Sequence, residues 1–435
     1  LTQNADQQVK IEGSTNGSIY VVIDQSANGF QVNNTYGIRF SRMGVLGASN
    51  GLSISGSEFI AGDWLNIRDC YNGVSSGGGS SNLSLSHSAV AGNRNAGVAI
   101  SGTGSKKNYV DMGACLLWSN RFGVYLDAAY VGISNSIIGM KSPDSFGYYV
   151  VENAPYGLQS DYNNLYVGNA GAAVAARQVG SGSGARTSVY NSVSSWAQAS
   201  DQDRHSLPHD PLLVDPDNED YHLKSAGGRY KPGTGWVIDV GSSPLIDSGA
   251  PHPSAWSAEP NPNGRRLNIG LFGGTAEASK TPLSGWLTLI TLNDGGTASG
   301  TFPLQWTVGG AATNYTLCID FSPDNGVTWT NLVCGWPAAL GSYMWDSVPF
   351  GRTALGRWRA WCVEDDTIGA VSFAPFRMPN EGWIPYYVND SSTNGDVFCS
   401  APGDDANNGL TTNTPKASLQ AILDTYDLDP SDIVY

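Results

Sequence analysis

The residues able to do chemistry are few and scattered. A polysaccharide lyase needs a Lys or Arg base beside clustered carboxylates, which often hold Ca²⁺. Residues 1–170 offer Lys10, Arg39, Arg42, Arg68, Arg94, Lys106, Lys107, Arg121 and Lys141 as bases, but their acids are sparse and none recur at a fixed interval. A glycosidase needs two carboxylates, and the available pairings are Asp111 with Asp127 and Asp144 with Glu152. Asp215, Asp217 and Asp220 in one turn, and Asp404 and Asp405 with Asn408 in another, could bind Ca²⁺, although acidic turns are more often simply solvated. His205, His209 and His222 are spaced too irregularly for a metal face and suit turn hydrogen bonding. Tyr125, Tyr148 and Tyr149 could stack on sugars, with part of each such group in a core.

The elements that would carry these residues repeat. Gly37-Ile38-Arg39-Phe40, Gly97-Val98-Ala99-Ile100, Gly123-Val124-Tyr125-Leu126 and Gly147-Tyr148-Tyr149-Val150 share one pattern, and Asp63-Trp64-Leu65-Asn66-Ile67 fills the first gap. Each is a short alternation behind a turn residue, which reads as a strand with one buried face. Intervals of 24 to 33 residues indicate a solenoid. A second phrase runs in step through Leu52-x-Ile54, Leu83-x-Leu85, Val110-x-Met112 and Ile133, each followed three residues later by Ser57, Ser88, Cys115 or Ser136. A stacked column of small residues fits a parallel β-helix, whose coils bury a core that none could bury alone. An antiparallel sandwich is the competing fold.

Charged residues make up only 14% of the 435, and 54 are glycine. A surface of Ser, Thr, Asn and Gly suits an extracellular or cell-surface β protein. The net charge of −15 argues against nucleic acid, and no apolar run is long enough for a membrane span. The chain opens on Leu1 without a leader signature, which reads as a mature or excised segment. No CxxC pair or Cys/His cluster suggests a metal centre, and Cys115 reads as a small buried apolar residue. Cys318 and Cys334 flank the turn Asp324-Asn325-Gly326-Val327 symmetrically, within reach of a cross-strand disulfide.

Residues 210–216 (DPLLVDP), 220–225 (DYHLKS), 243–249 (SPLIDSG), 259–270 (EPNPNGRRLNIG) and 272–275 (FGGT) follow in order. Together they resemble the C-terminal part of right-handed parallel β-helix repeat proteins, found in very large secreted or surface bacterial polypeptides. The resemblance covers roughly residues 30–280. It implies that Asp247, Glu259, Arg265 and Arg266 form a structural polar network closing the last coils. The same solenoid occurs in pectate-lyase-like enzymes, so fold alone does not decide activity.

Three parts are therefore expected: a β-helix over 1–285, an immunoglobulin- or fibronectin-like sandwich over 286–380, and a distinct segment over 381–435. The last segment resembles the opening of a β-helix, with Tyr386-Tyr387-Val388, a turn, Thr414-Pro415 starting a helix with Leu419, Ile422 and Leu423, and a strand Ile433-Val434-Tyr435. Val9, Ile11, Ile19 and Val21 would receive this cap from a preceding copy. The expected role is a head-to-tail subunit or tandem repeat of an extracellular filament, joined by strand addition. The alternative is a glycan-binding or carbohydrate-active solenoid. Ca²⁺ is the sole cofactor either reading invites.

Overall fold

The computed structural model describes residues 9–12, 20–22, 27–102, 108–152, 157–180, 184–379, 385–426, 428 and 432–435. These fall into two compact units, one running to Gly285 and including Gly309–Ala311, the other comprising Trp286–Val308 and Ala312–Tyr435.

The first unit is a parallel β-solenoid with three faces. Sheet A holds seven strands: Val9–Glu12, Tyr36–Ser41, Glu58–Asp63, Ser81–Ser86, Tyr109–Gly113, Tyr130–Ser134 and Gly157–Asp161. Sheet B also has seven, from Tyr20–Val22 to Asn164–Val167. Sheet C climbs from Phe30–Asn33 to Ala173–Val179, then adds Arg186–Tyr190 antiparallel. Ile19, Lys106 and Lys107 lie outside the described residues.

Strand register corrects the repeat read from sequence. Gly97, Gly123 and Gly147 do share a column, in sheet C, where Phe30, Leu52, Val74, Val98, Val124 and Tyr148 stack inward. Leu52-x-Ile54 belongs to that column rather than to the phrase of Leu83-x-Leu85. Gly37-Ile38-Arg39-Phe40 lies in sheet A, with Ile38 beside Ile60 and Leu83. Both phrases present a small or apolar residue at alternate positions, so periodicity could not say which face each served.

The small residues form ladders at all three corners. Between sheets A and B, Leu65 donates its N–H to Ser88 Oγ (3.0 Å), Cys115 to Ser136 Oγ (3.0 Å), Ser136 to Asn163 Oδ1 (3.0 Å) and Asn163 to Ser206 Oγ (2.9 Å). Ser57 belongs to another corner, where it accepts from Thr35 N–H at 3.1 Å. Between sheets B and C, Cys70 N–H donates to Asn93 and Asn93 N–H to Asn120, both at 3.0 Å. Each bond satisfies a corner amide that no strand partner reaches. Cys115 is buried as expected, and burial pushes its thiol up to about 12.

The residue before each A–B ladder position is left-handed: Arg42, Trp64, His87, Ala114, Asn135 and Tyr162 all have φ between 44° and 56°. Only Asn135 and His87 are types enriched in this region. The fold imposes the conformation, so the sequence shows no periodic Gly at these turns.

Above the last rung, α1 (Val193–Ser200) starts at Ser192, whose Oγ accepts from Ser195 N–H. Val193 and Trp196 cover the end of the core with Tyr190. The chain then returns along sheet B. Residues 245–273 reach Asn135, whose carbonyl accepts from Gly270 N–H, and His87, whose Nε2 lies 3.1 Å from Gly273 O. Ala89, Leu116 and Ile137, which would otherwise face outward from sheet B, are accordingly buried.

In the second unit, Trp286–Leu289, Thr301–Gly309 and Ser342–Asp346 form one sheet. Thr330–Pro337, Thr316–Ser322, Thr353–Cys362, Gly369–Val371 and Phe376–Met378 form the other, all antiparallel. Trp306, Trp345, Trp358, Phe321 and Phe376 share the core between them. Cys318 and Cys334 are joined in a disulfide.

Residues 385–435 belong to this unit and make a small fold of their own. Pro385–Tyr386 pairs parallel with Ile433–Val434, and α2 (Leu419–Thr425) packs Ile422 and Tyr426 on Tyr386 and on Ala354 of the sandwich. The helix starts at Ser418, four residues beyond Thr414, because Ser418 Oγ accepts from Ala421 N–H while Asp405 accepts from Ala417 and Ser418 N–H.

Candidate functional site

The best-formed candidate lies on the outer face of sheet A. Ile38, Ile60, Leu83, Val110, Val131 and Leu158 point inward, so the alternate positions face out. One outward column reads Arg39, Ala61, Ser84, Asp111, Gly132 and Gln159; the next reads Ser41, Asp63, Ser86, Gly113, Ser134 and Asp161. The upper rungs open into a groove of about 660 Å³ lined by Asp111, Ser134, Gln159, Asp161, Tyr162 and Asp201 among others. Gly132 leaves space between Asp111 and Gln159, and the Asp111 side chain leans over it. Tyr109 and Tyr130 stack at 4.9 Å at the start of the same strands, and lower down Tyr36 meets Phe59, also at 4.9 Å.

Asp161 is held at the groove edge. His205 Nδ1 lies 2.7 Å from its Oδ2, and the His205 N–H donates to its Oδ1 at 2.7 Å. Burial pushes this carboxyl up, but the bonds from His205 and Tyr162 N–H outweigh it, leaving it below the ordinary value. The His205 ring stacks on Tyr162 at 4.7 Å, with Arg266 on that tyrosine at 5.7 Å. Asp201 pairs with Arg204. Behind the groove, buried Asp203 accepts from Ser160, Ser206 and Trp196 Nε1 at 2.6 to 3.0 Å. Burial raises its carboxyl despite these bonds.

The carboxylate pairs drawn from sequence are not assembled. Asp111 is on sheet A and Asp127 on sheet C, while Glu152 is taken by Arg177 at 2.6 Å and Asp144 sits in a left-handed turn. Arg39 pairs with Asp63 (3.1 Å) and Arg68 with Glu219 (2.7 Å). Arg42 lies over Trp64, Arg121 over Phe122, and Lys141 over Trp118 and Tyr166. Among the described residues no lysine or arginine lines the groove, although Arg204 pairs with Asp201 at its border. Tyr148 is core, and Tyr125 stacks on Tyr149 outside sheet C, on another face.

The other candidates serve turns. Asp215 accepts from Asn218 Nδ2, Asp220 holds His222 Nδ1 at 2.7 Å, and His222 stacks on Phe272 at 3.8 Å. The His209 carbonyl accepts from Asn164 Nδ2. Asp404 accepts from Ala406 N–H, as Asp405 does at α2. Among the described residues no three His, Cys, Asp or Glu stand close enough to hold a metal ion.

Asp247 and Glu259 organise the returning segment, whereas α1 and Asp203 close the last coil. Asp247 accepts from Gly264 N–H and Thr281 Oγ1; Glu259 Oε1 accepts from Asn268 and Gly274 N–H at 2.9 and 2.7 Å. Arg266 Nε donates to Gly249 O, and Arg265 is exposed in a left-handed turn. In the C-terminal segment Tyr386 and Ile422 are fully buried, Tyr387, Val388, Val434 and Tyr435 partly so, and Leu419, Leu423 and Ile433 are exposed. Val9 and Ile11 pair with Ile38 and Phe40 in sheet A, and Val21 with Val45 in sheet B.

Asp161 and Asp201 were missed because the first comes from sheet A and the second from the loop after α1; only the returning chain brings them together. No helix among the described residues is long and apolar enough to cross a membrane. No curated protein and no solved structure matches the chain. Residues 184–249, from the strand leading into α1 to the turn after Asp247, are similar to a family described as disaggregatase related.

Proposed function

We propose that this chain is an extracellular carbohydrate-active β-solenoid that binds a polysaccharide along the outer face of sheet A. The observation that carries the reading is the groove itself: Asp111, Asp161 and Asp201 border one open trough beside the stacked Tyr109 and Tyr130. Aromatic rings suit the C–H faces of sugars, and carboxylates accept from their hydroxyls. The three carboxylates along the trough favour a neutral polymer over a uronate.

Asp111 and Asp161 stand two rungs and two strand positions apart, a backbone separation of roughly 12 Å from ordinary sheet spacings. The match to a family described as disaggregatase related falls on the segment that supplies His205 and Asp201. The test is retention on, and reducing-end release from, neutral polysaccharides. Asp111→Asn and Asp161→Asn should each lower release at least 100-fold while keeping the fold. Binding and release indifferent to both changes would reject the groove.

A second reading, end-to-end assembly, draws on the C-terminal segment. Leu419, Leu423 and Ile433 are exposed around a packed centre of Tyr386 and Ile422. An apolar rim beside a short parallel strand pair suits addition to another solenoid's first rung, and the preceding sandwich reads as an immunoglobulin-like module. Fibres in electron micrographs that vanish with Leu423→Arg and Ile433→Arg would support this; material that stays monomeric at every concentration would reject it.

A further inference from the structure

We propose a second saccharide-binding site in the other unit, on the outer face of the sandwich sheet at Trp361. Along Thr353–Cys362 burial alternates: Trp358, Ala360 and Cys362 enter the core, while Arg357, Arg359 and Trp361 face out. Trp361 has Cys318 opposite it on one neighbouring strand and Gly369 on the other. Gly369 is what makes the site. It leaves bare backbone next to the indole, and a Cβ there would stand 3.0 Å from the Trp361 Cβ. The result is an open notch of about 440 Å³ lined by Trp361, Gly369, Ala370 and Val371 together with Arg359, Asp366 and Thr367.

The Trp361 surface is fixed in advance. Arg359 Nε and Nη2 both donate to Asp320 Oδ2, at 2.9 and 2.8 Å, and Asn331 Nδ2 donates to Oδ1 at 2.9 Å. Asp320 is buried, so the guanidinium is anchored from below. It lies 4.3 Å from the Trp329 ring and 5.0 Å from Trp361, which clamps it between two indoles. The disulfide from Cys318 to Cys334 braces the strand beside Trp361. Little side-chain freedom is left to lose on binding.

The lining selects the ligand. An indole beside bare Gly369, with exposed Val371 along the same strand, offers an apolar surface to one face of a ring, and the hydroxyl, carboxylate and guanidinium beside it match a ligand with hydroxyls on its perimeter. An acyl chain would meet charge on the rim, and a polyanion would meet Asp366 on a chain of net charge −15. A neutral pyranose satisfies both conditions. The site shares its ligand chemistry with the sheet A groove but none of its residues, so either can fail alone.

The test is affinity electrophoresis of the full chain through gels containing a soluble β-glucan, a galactomannan or an arabinoxylan, in an Asp111→Asn/Asp161→Asn background that disables the groove. At least one polymer should still retard the chain. Trp361→Ala and Gly369→Val should each weaken retardation at least tenfold, and Trp361→Phe should restore part of it. Gly369→Val would set a Cβ 3.0 Å from the Trp361 Cβ and 3.1 Å from Ala360 O, so Trp361→Phe, which leaves the backbone untouched, is the variant that separates a lost stacking surface from a disturbed fold. Retardation unchanged in both variants, or absent with every polymer, overturns the site. Retardation that depends on Trp361 after the groove variants have proved inert would leave this site standing and remove only the groove.

Discussion

His205 and Asp161, 44 residues apart, share two contacts of 2.7 Å: ring Nδ1 to Oδ2, and backbone N–H to Oδ1. Together they dock the segment after α1 onto the last strand of sheet A and fix the carboxylate at the groove edge. Burial opposes ionisation of Asp161, yet the bonds from His205 and Tyr162 prevail, and the folded carboxyl sits below 3.8. A depressed folded value means that its stabilisation is present above the unfolded value and lost as pH falls through the folded one. In urea unfolding followed by tryptophan fluorescence, wild type should therefore exceed Asp161→Asn at pH 5, with the gap narrowing below about pH 3.8. A gap that widens on acidification would contradict this assignment.

Glu259 should behave in the opposite sense. Its Oε1 accepts two backbone N–H groups, while its buried Oε2 has no hydrogen-bond partner among the described residues. Burial pushes the carboxyl from 4.5 to about 7, against the pull of those two amides. A raised folded value means the folded chain holds its proton longer, so stability falls as pH rises from about 4.5 to 7. At about 1.4 kcal/mol per unit, the fall is on the order of 3 kcal/mol. Glu259→Gln keeps an oxygen for both amides and carries no charge, so its unfolding midpoint should lack this component and exceed wild type at pH 8.

What could be read from sequence was what repeats locally. Alternation gave the strands, and Asn325-Gly326 gave a turn flanked by cysteines that the structure joins at a separation of 16 residues. Assignment of strands to faces was lost, because Gly37-Ile38-Arg39-Phe40 and Gly97-Val98-Ala99-Ile100 look alike yet lie in sheets A and C. Corner geometry was hidden as well, since Arg42, Trp64 and Ala114 carry a backbone that their side chains do not advertise. The groove was least visible: Asp111, Asp161 and Asp201 meet through register and a long return of the chain, and neither leaves a spacing to find.

The corner ladders should be cooperative along the solenoid axis. Asn120 is buried, with Oδ1 accepting from Asn93 N–H (3.0 Å) and Nδ2 (2.9 Å), while its own Nδ2 donates to Val90 O at 2.8 Å. Asn120→Ala strands two donors and one acceptor in the core, and each buried unsatisfied group costs about 1–3 kcal/mol. A loss of roughly 3–5 kcal/mol in the solenoid transition is expected by calorimetry, with Asn93→Ala/Asn120→Ala less than additive because the two share bonds. Strict additivity would mean that the rungs are independent.

Arg377 and Asp432 form an ion pair with side chains only 5% and 2% exposed, joining a sandwich strand to the residue before Ile433–Val434. Among the described residues the small core around Tyr386 and Ile422 takes only Ala354 from the sandwich, so the apolar contact described there attaches the C-terminal segment weakly. Removing one member of a buried pair leaves the other charge uncompensated and typically costs 3–5 kcal/mol, roughly the stability such a small segment can hold. Asp432→Ala should therefore release the segment before the sandwich melts. In hydrogen exchange, amides of α2 and of Ile433–Val434 should lose protection about 100-fold, while those of Thr316–Ser322 keep theirs. Asp432→Leu with Arg377→Met, which replaces the pair by apolar groups, should restore much of the protection, because the penalty arises from the orphaned charge rather than from the missing bond. Equal exchange in wild type and Asp432→Ala would show that the strand pair and Tyr386 hold the segment without this ion pair.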